Sequence, residues 1–155
     1  MLTGRGLAIL ISVLSAGCWM SRYDDVSSRL EYAGLVNKTF RSREVMLIHG
    51  VTLDANYRQV VDIYTLTPQP GMWIGSPEIL SIDTLLAGTT LRVKRVLECT
   101  NCPFSDGNQL EVELPTLPKY ASHATRLGFY FMRPIVLRKD GKAMLDSTLF
   151  ESVPP

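Results

Sequence analysis

The chain is predicted to be mainly β, built from short strands in one small domain. Three observations lead there. Short apolar, β-branched and aromatic runs alternate with turn residues from Gly34 onward. Two stretches, Leu91–Lys94 and Leu110–Leu114, alternate strictly between apolar and charged residues, the mark of a strand with one buried face. The chain carries 9 prolines and no long stripe of helical period, which argues against a helical bundle.

The elements follow in order. Leu35 to Phe40, Val45 to Leu53, Val60 to Thr67 and Trp73 to Leu80 read as strands. Arg41-Ser42, Asp54-Ala55-Asn56 and Pro68-Gln69-Pro70-Gly71 punctuate them as turns. Leu91 and Val93 then alternate with Arg92 and Lys94, and the pattern breaks at Arg95-Val96-Leu97, as a bulge would break it. Leu110, Val112 and Leu114 alternate with Glu111 and Glu113. Pairing these stretches as a hairpin sets Arg92 and Lys94 on one solvent face with the two glutamates. Opposite charges across strands are favourable by a few tenths of a kcal/mol per pair, roughly. A last hairpin is expected over Pro134–Phe150, turning at Asp140-Gly141. Strands at this spacing suit a barrel or a sandwich.

Ahead of this domain stands a different kind of segment. Arg5 precedes an apolar run from Leu7 to Leu14, followed by Ser15-Ala16-Gly17-Cys18. The run is too short to span a bilayer, which takes about 20 residues. Its length and the small residues behind it suit a signal peptide and its cleavage site. The segment resembles the signal peptide of a bacterial lipoprotein, with Leu14-Ser15-Ala16-Gly17-Cys18 as the lipobox. The resemblance implies diacylation of the Cys18 thiol, cleavage after Gly17 and acylation of the new amino group. A chain with several acyl groups is held stably at a membrane without a transmembrane helix. Trp19, rather than Asp, follows the cysteine. In a Gram-negative host the resemblance then implies the outer membrane, facing the periplasm. The alternatives are a buried N-terminal helix ending in a core cysteine, and an ordinary secretory signal with Cys18 unmodified.

The expected organisation is a signal peptide over 1–17, a lipidated terminus and tether over 18–33, and a single β-rich domain over 34–155. The tether carries Arg22, Asp24, Asp25, Arg29 and Glu31, with a short helix near Val26–Tyr32. Removing residues 1–17 takes away Arg5 and no acid, so 16 basic residues become 15 against 15 acidic ones. A neutral domain lacks the basic footprint of a nucleic-acid binder, and no nucleic-acid partner is expected.

Within the domain, Leu86-Ala87-Gly88-Thr89-Thr90-Leu91-Arg92-Val93 resembles the strand entry of bacterial SH3-like barrels. That resemblance implies a small SH3-like barrel, with a compact β-sandwich as the other form of the mainly β class.

Cys99-Thr-Asn-Cys102 is the sharpest local motif after the lipobox. With Cys18 consumed by lipid, two cysteines remain in an oxidising compartment, where a disulfide is the ordinary outcome. It would fix the shape of the loop at the tip of the hairpin. A thioredoxin-like redox pair needs a helix after the motif, whereas Pro103-Phe104-Ser105-Asp106-Gly107 reads as loop. A zinc site would have to recruit His49 and His123 from distant segments.

No nucleophile elbow and no Gly-rich phosphate cradle occurs. His49 sits in an apolar strand and reads as a hydrogen-bonded structural histidine; His123 reads as an exposed loop residue. Asp62 and Glu78 are a possible carboxylate pair that the sequence does not bring together. Aromatics framed by Pro and Gly mark a possible binding surface at Trp73, Tyr130 and Arg133. These readings give no catalytic residue, metal or cofactor. They describe a membrane-anchored periplasmic lipoprotein whose β domain is a non-enzymatic binding module for an envelope protein or peptidoglycan. The rivals are an immunity or inhibitor protein that blocks a toxin or lysozyme, using the Cys99–Gly107 loop, and a thiol–disulfide protein using Cys99 and Cys102.

Overall fold

The computed structural model describes residues 22–54, 56–68, 78–100, 108–127 and 135–154. The strands are β1 (Tyr23–Asp25), β2 (Thr39–Ser42), β3 (Met46–Val51), β4 (Ile63–Pro68), β5 (Ile79–Leu85) and β6 (Thr90–Cys99). They continue as β7 (Asn108–Glu113), β8 (Ala124–Leu127), β9 (Val136–Lys139), β10 (Lys142–Leu145) and β11 (Phe150–Val153). Two single 3₁₀ turns, Leu30–Tyr32 and Pro118–Tyr120, complete the described elements.

The fold is mainly β, as the sequence predicts. Nine strands form one sheet in the order β11-β2-β6-β7-β8-β4-β3-β5, with β1 added on β6. Strands β9 and β10 form a separate hairpin. The sheet is not a closed barrel: β11 and β5 stand at opposite ends of the path. This corrects the SH3-like barrel, although the compact β class stands. The resembling segment does make its turn, with Gly88 at φ +88° and the Thr89 N–H donating to the Leu86 carbonyl. A turn of that kind sets a local entry into β6 and leaves closure to partners elsewhere in the chain.

The β6–β7 hairpin forms as read. Val93 faces Val112, Val96 faces Leu110, and the register slips between Val93 and Arg95. The Asp140-Gly141 turn also forms, with φ +51° and +72°. Two positive φ angles in a two-residue loop match the twist of the flanking strands.

Other expectations are corrected. Residues 22–33, read as tether, belong to the body of the domain. Tyr23 pairs with Cys99 and Asp25 with Leu97, while Val26 and Tyr32 are buried in the core. The few apolar side chains of this charged segment are enough to hold it down, and the expected helix shrinks to one 3₁₀ turn. The strand expected over Leu35–Phe40 starts only at Thr39, because Asn37 sits at φ +62° and Leu35 turns into the core. The expected Trp73–Leu80 strand falls partly outside the described residues, and its described part opens a longer strand that runs to Leu85. Strand β8 follows directly on His123 and is not among the strands the sequence predicts. It lies antiparallel to β7 and parallel to β4, with Tyr64 opposite Thr125.

One core unites these parts. Leu66, Val93, Val96, Leu110, Leu127 and Ile48 fill the centre of the sheet's inner face. Tyr32 and Leu35 close it from the N-terminal segment, and Ala143 and Leu145 close it from the last hairpin. Arg138 of β9 fastens that hairpin by donating to Glu31 at 3.3 Å and to the Tyr32 hydroxyl at 3.1 Å.

Candidate functional site

The β7–β8 connection folds over the end of the sheet and leaves an open groove of about 330 Å³. Lys94 and Glu113 line its strand side, while Pro115, Pro118, Tyr120 and His123 line the connection side. Pro118 opens the 3₁₀ turn, where a fixed φ suits the first position. The turn drives Tyr120 into the core while leaving His123 exposed. Tyr64 of β4 meets both rings edge-on, with centroids 4.9 Å from Tyr120 and 5.9 Å from His123. The groove wall is therefore held by ring packing, and His123 is positioned although exposed.

The electrostatics around the groove are ordered in pairs. Glu113 lies opposite Arg92 and 4.0 Å from Lys94 Nζ. Glu111 receives Arg95 at 2.6 Å and 3.3 Å, and this bond raises the Arg95 pKa further. Behind the wall, the Asp83 carboxylate accepts from Lys119 Nζ at 2.6 Å, from the Tyr120 hydroxyl at 2.8 Å and from the Thr84 N–H at 2.8 Å. Lys119, then Tyr120 and then the Thr84 N–H hold its pKa down at about 2. Burial, in contrast, raises the pKa of the Tyr120 hydroxyl. Ser122 Oγ and His123 Nδ1 lie 2.9 Å apart.

The singled-out residues fare differently. Cys18, Trp73, Cys102, Tyr130 and Arg133 lie outside the described residues, as does the signal segment. Cys99 ends β6, opposite Tyr23. His49 is 2 % exposed, with Nε2 3.1 Å from Thr67 Oγ1 and, among the described residues, no hydrogen-bond partner at Nδ1. Burial lowers its pKa, so the neutral ring is favoured. Asp62 and Glu78 both reach Thr52, by different means. The Asp62 carboxylate accepts from the Leu53 N–H at 2.6 Å and from Thr52 Oγ1, whereas Glu78 accepts the Thr52 N–H on its backbone carbonyl. Asp62 is thus the organiser of a turn. Among the described residues, no cluster of three or more His, Cys, Asp or Glu side chains could hold a metal ion.

Sequence reasoning missed the groove. Its two sides are brought together by the insertion of β8 between β7 and β4, a contact that no local pattern announces. The available signal was the pair Pro115 and Pro118 leading to Tyr120, a rigid approach to an aromatic residue. The chain matches no family model, no curated protein and no solved structure.

An open, half-polar groove with paired charges and edge-stacked rings can hold an extended polar chain. Its groups are suited to hydrogen bonding and ion pairing with a ligand.

Proposed function

We propose that this chain is a membrane-anchored lipoprotein of the bacterial envelope, probing the periplasm with a non-enzymatic β binding module. The observation that carries the reading is the lipobox-like Leu14-Ser15-Ala16-Gly17-Cys18. Cys18 is the lipid attachment point, and Cys99 and Cys102 form a disulfide that shapes the β6–β7 loop. The partner is an envelope protein or a cell-wall component, and the β7–β8 groove is the surface that receives it. Aromatic rings beside paired charges supply both contact area and orientation for such a ligand.

Labelling the full chain with a palmitate analogue in an envelope-bearing bacterium tests the anchor. Label on the wild-type chain and none on Cys18→Ala is the expected result; equal label on both rejects it. Photo-crosslinking from the groove then tests the binding module. The proposal expects a discrete adduct that Glu113→Lys and His123→Ala both weaken. Adducts indifferent to both changes would place binding elsewhere, and turnover abolished by His49→Ala or Asp62→Asn would make the protein an enzyme.

A further inference from the structure

Leu110 and Val112 of β7 and Thr125 and Leu127 of β8 turn into the core, so Glu111 and Arg126 share the opposite, outer face of the sheet. The two stand directly opposite each other across the ladder, where opposite charges ordinarily pair. No ion pair forms between them, because the bulge in β6 sets Arg95 opposite Glu111 from the other side. Arg95 holds that carboxylate with two bonds, at 2.6 Å and 3.3 Å. Arg126 turns to neutral groups instead. Its Nη1 donates to Gln109 Oε1 at 3.3 Å, and its guanidinium lies 5.1 Å from the centre of the Tyr23 ring. Gln109 Nε2 in turn donates to the Tyr23 hydroxyl at 2.9 Å, so β1, β7 and β8 together fix the side chain.

Arg126 is thus a half-buried cation, held in place, with no carboxylate of its own among the described residues. Its Nε is buried without a hydrogen-bond partner, while Nη2 is unbonded and open to solvent. A charge withdrawn from water in this way is costly until an anion completes it. The planar fork of a guanidinium fits a carboxylate through two parallel bonds. Arg92 repeats the pattern on β6. It is exposed on the same face, opposite Glu113, and has no ion pair among the described residues. Arg92 and Arg126 flank β7 from its two sides, two residues apart in its register, so strand spacing and rise put their Cα atoms about 12 Å apart. Four residues of an extended peptide cover about 13 Å, and residues four apart point to one face.

We propose that the outer face of β6, β7 and β8 binds an acidic peptide segment, with Arg126 receiving one carboxylate and Arg92 a second. The charge pattern selects this ligand. Glu111 and Glu113 stand on β7 between the two arginines. A polyanion charged at every unit, such as a nucleic acid or a polyphosphate, would lay like charge on these glutamates. A peptide with carboxylates four positions apart passes them with neutral residues, so attraction at the arginines is kept and repulsion avoided. The site is separate from the β7–β8 groove, which neither arginine lines, and it does not depend on the lipid anchor.

Fluorescence anisotropy on the full chain in detergent micelles tests this. The probe is a capped Gly/Ser peptide with two glutamates four positions apart, labelled with a neutral dye. Saturable binding is expected, with a Kd at least about tenfold higher for the same peptide carrying glutamine at both positions. Arg126→Lys, which keeps the charge and loses the fork, should raise the Kd by about the same factor, and Arg92→Gln by a smaller one. Lys142→Gln, which removes a charge on the separate β9–β10 hairpin, should leave the Kd unchanged. An absence of saturable binding, or equal affinity for the two peptides, overturns the proposal. So does an Arg126→Lys variant that binds like the wild type, or a Lys142→Gln variant as weakened as Arg126→Lys. Displacement of the peptide by inorganic phosphate at lower concentration than by acetate also overturns it, and assigns the arginine to a phosphate ligand. Should Arg126→Lys be unfolded by circular dichroism, the two peptides on the wild type and on Arg92→Gln decide by the same criteria.

Discussion

The β6–β7 hairpin and the β3–β5 flank are both antiparallel, yet they treat an apolar side chain in opposite ways. Strand β7 is enclosed by β6 and β8, and its Leu110 is fully buried between Val96 and Leu127. Among the described residues strand β5 has one neighbour, and its Ile82 lies mostly in solvent although it faces the buried His49 across the ladder. The difference teaches that an apolar side chain does not by itself set burial here; what packs against its place in the strand does. Leu110, between two strands, is core, whereas Ile82 in the middle of an end strand is surface, even though Leu85 at the end of that same strand is buried.

That comparison can be broken by truncation. Leu110→Ala should destabilise the domain by about 2–5 kcal/mol, since it removes buried methyl groups and leaves a cavity. Ile82→Ala should fall within about 0.5 kcal/mol of the wild type, as exposed substitutions do. Urea midpoints of the two variants check the contrast. Equal losses would mean that β5 is covered in solution.

The flank is not loose throughout, and its inner strand sharpens the point. Gly50 of β3 has neighbours on both sides, and a Cβ built there would come within 2.4 Å of Ser81 Oγ and 2.9 Å of Val61 Cγ2. The Ser81 hydroxyl can rotate away, whereas the β-branched Val61 is stiff at χ1 and must leave its rotamer or shift to clear the methyl group. Gly50→Ala is expected to cost about 1–3 kcal/mol, the usual range for overpacking. Thermal melts of Gly50→Ala beside Gly88→Ala would separate crowding from conformation, since Gly88 has open space around it but sits at φ +88°.

The two regions also differ in how far the sequence discloses them. The β6–β7 pairing is written in the alternation of Leu91–Lys94 and Leu110–Leu114, and its bulge in the break at Arg95. The β9–β10 turn is written in Asp140-Gly141. These are contacts between near neighbours in the chain. The parallel pairing of β4 with β8 joins residues some sixty positions apart, as Tyr64 with Thr125, and no spacing encodes it. Strand β5 escaped for another reason: its central residues are exposed on both faces, so no alternation arises. The groove inherits both problems, because Lys94, Tyr64 and His123 meet only after β8 has chosen its neighbours. Burial of Tyr32 was hidden by the charged residues around it, which read as a solvated tether.

The smallest expected effect lies on the exposed face of the legible hairpin. The sequence places Arg92 and Lys94 with Glu111 and Glu113, but the bulge changes the partners. Arg95 meets Glu111 through two bonds, and Lys94 is left 4.0 Å from Glu113. Arg95 is half exposed whereas Glu111 is largely covered, so their pair is the better shielded from solvent. A double-mutant cycle on Arg95 and Glu111 should give about 0.5–1 kcal/mol, the upper part of the range for surface pairs. The cycle on Lys94 and Glu113, where both partners are about half exposed, should give about 0–0.3 kcal/mol. Raising salt to about 1 M, where the screening length is near 3 Å, should shrink the first value and leave the second unreadable. Equal coupling at both pairs would mean that the bulge does not distinguish them, and that the charge pattern alone sets the interaction.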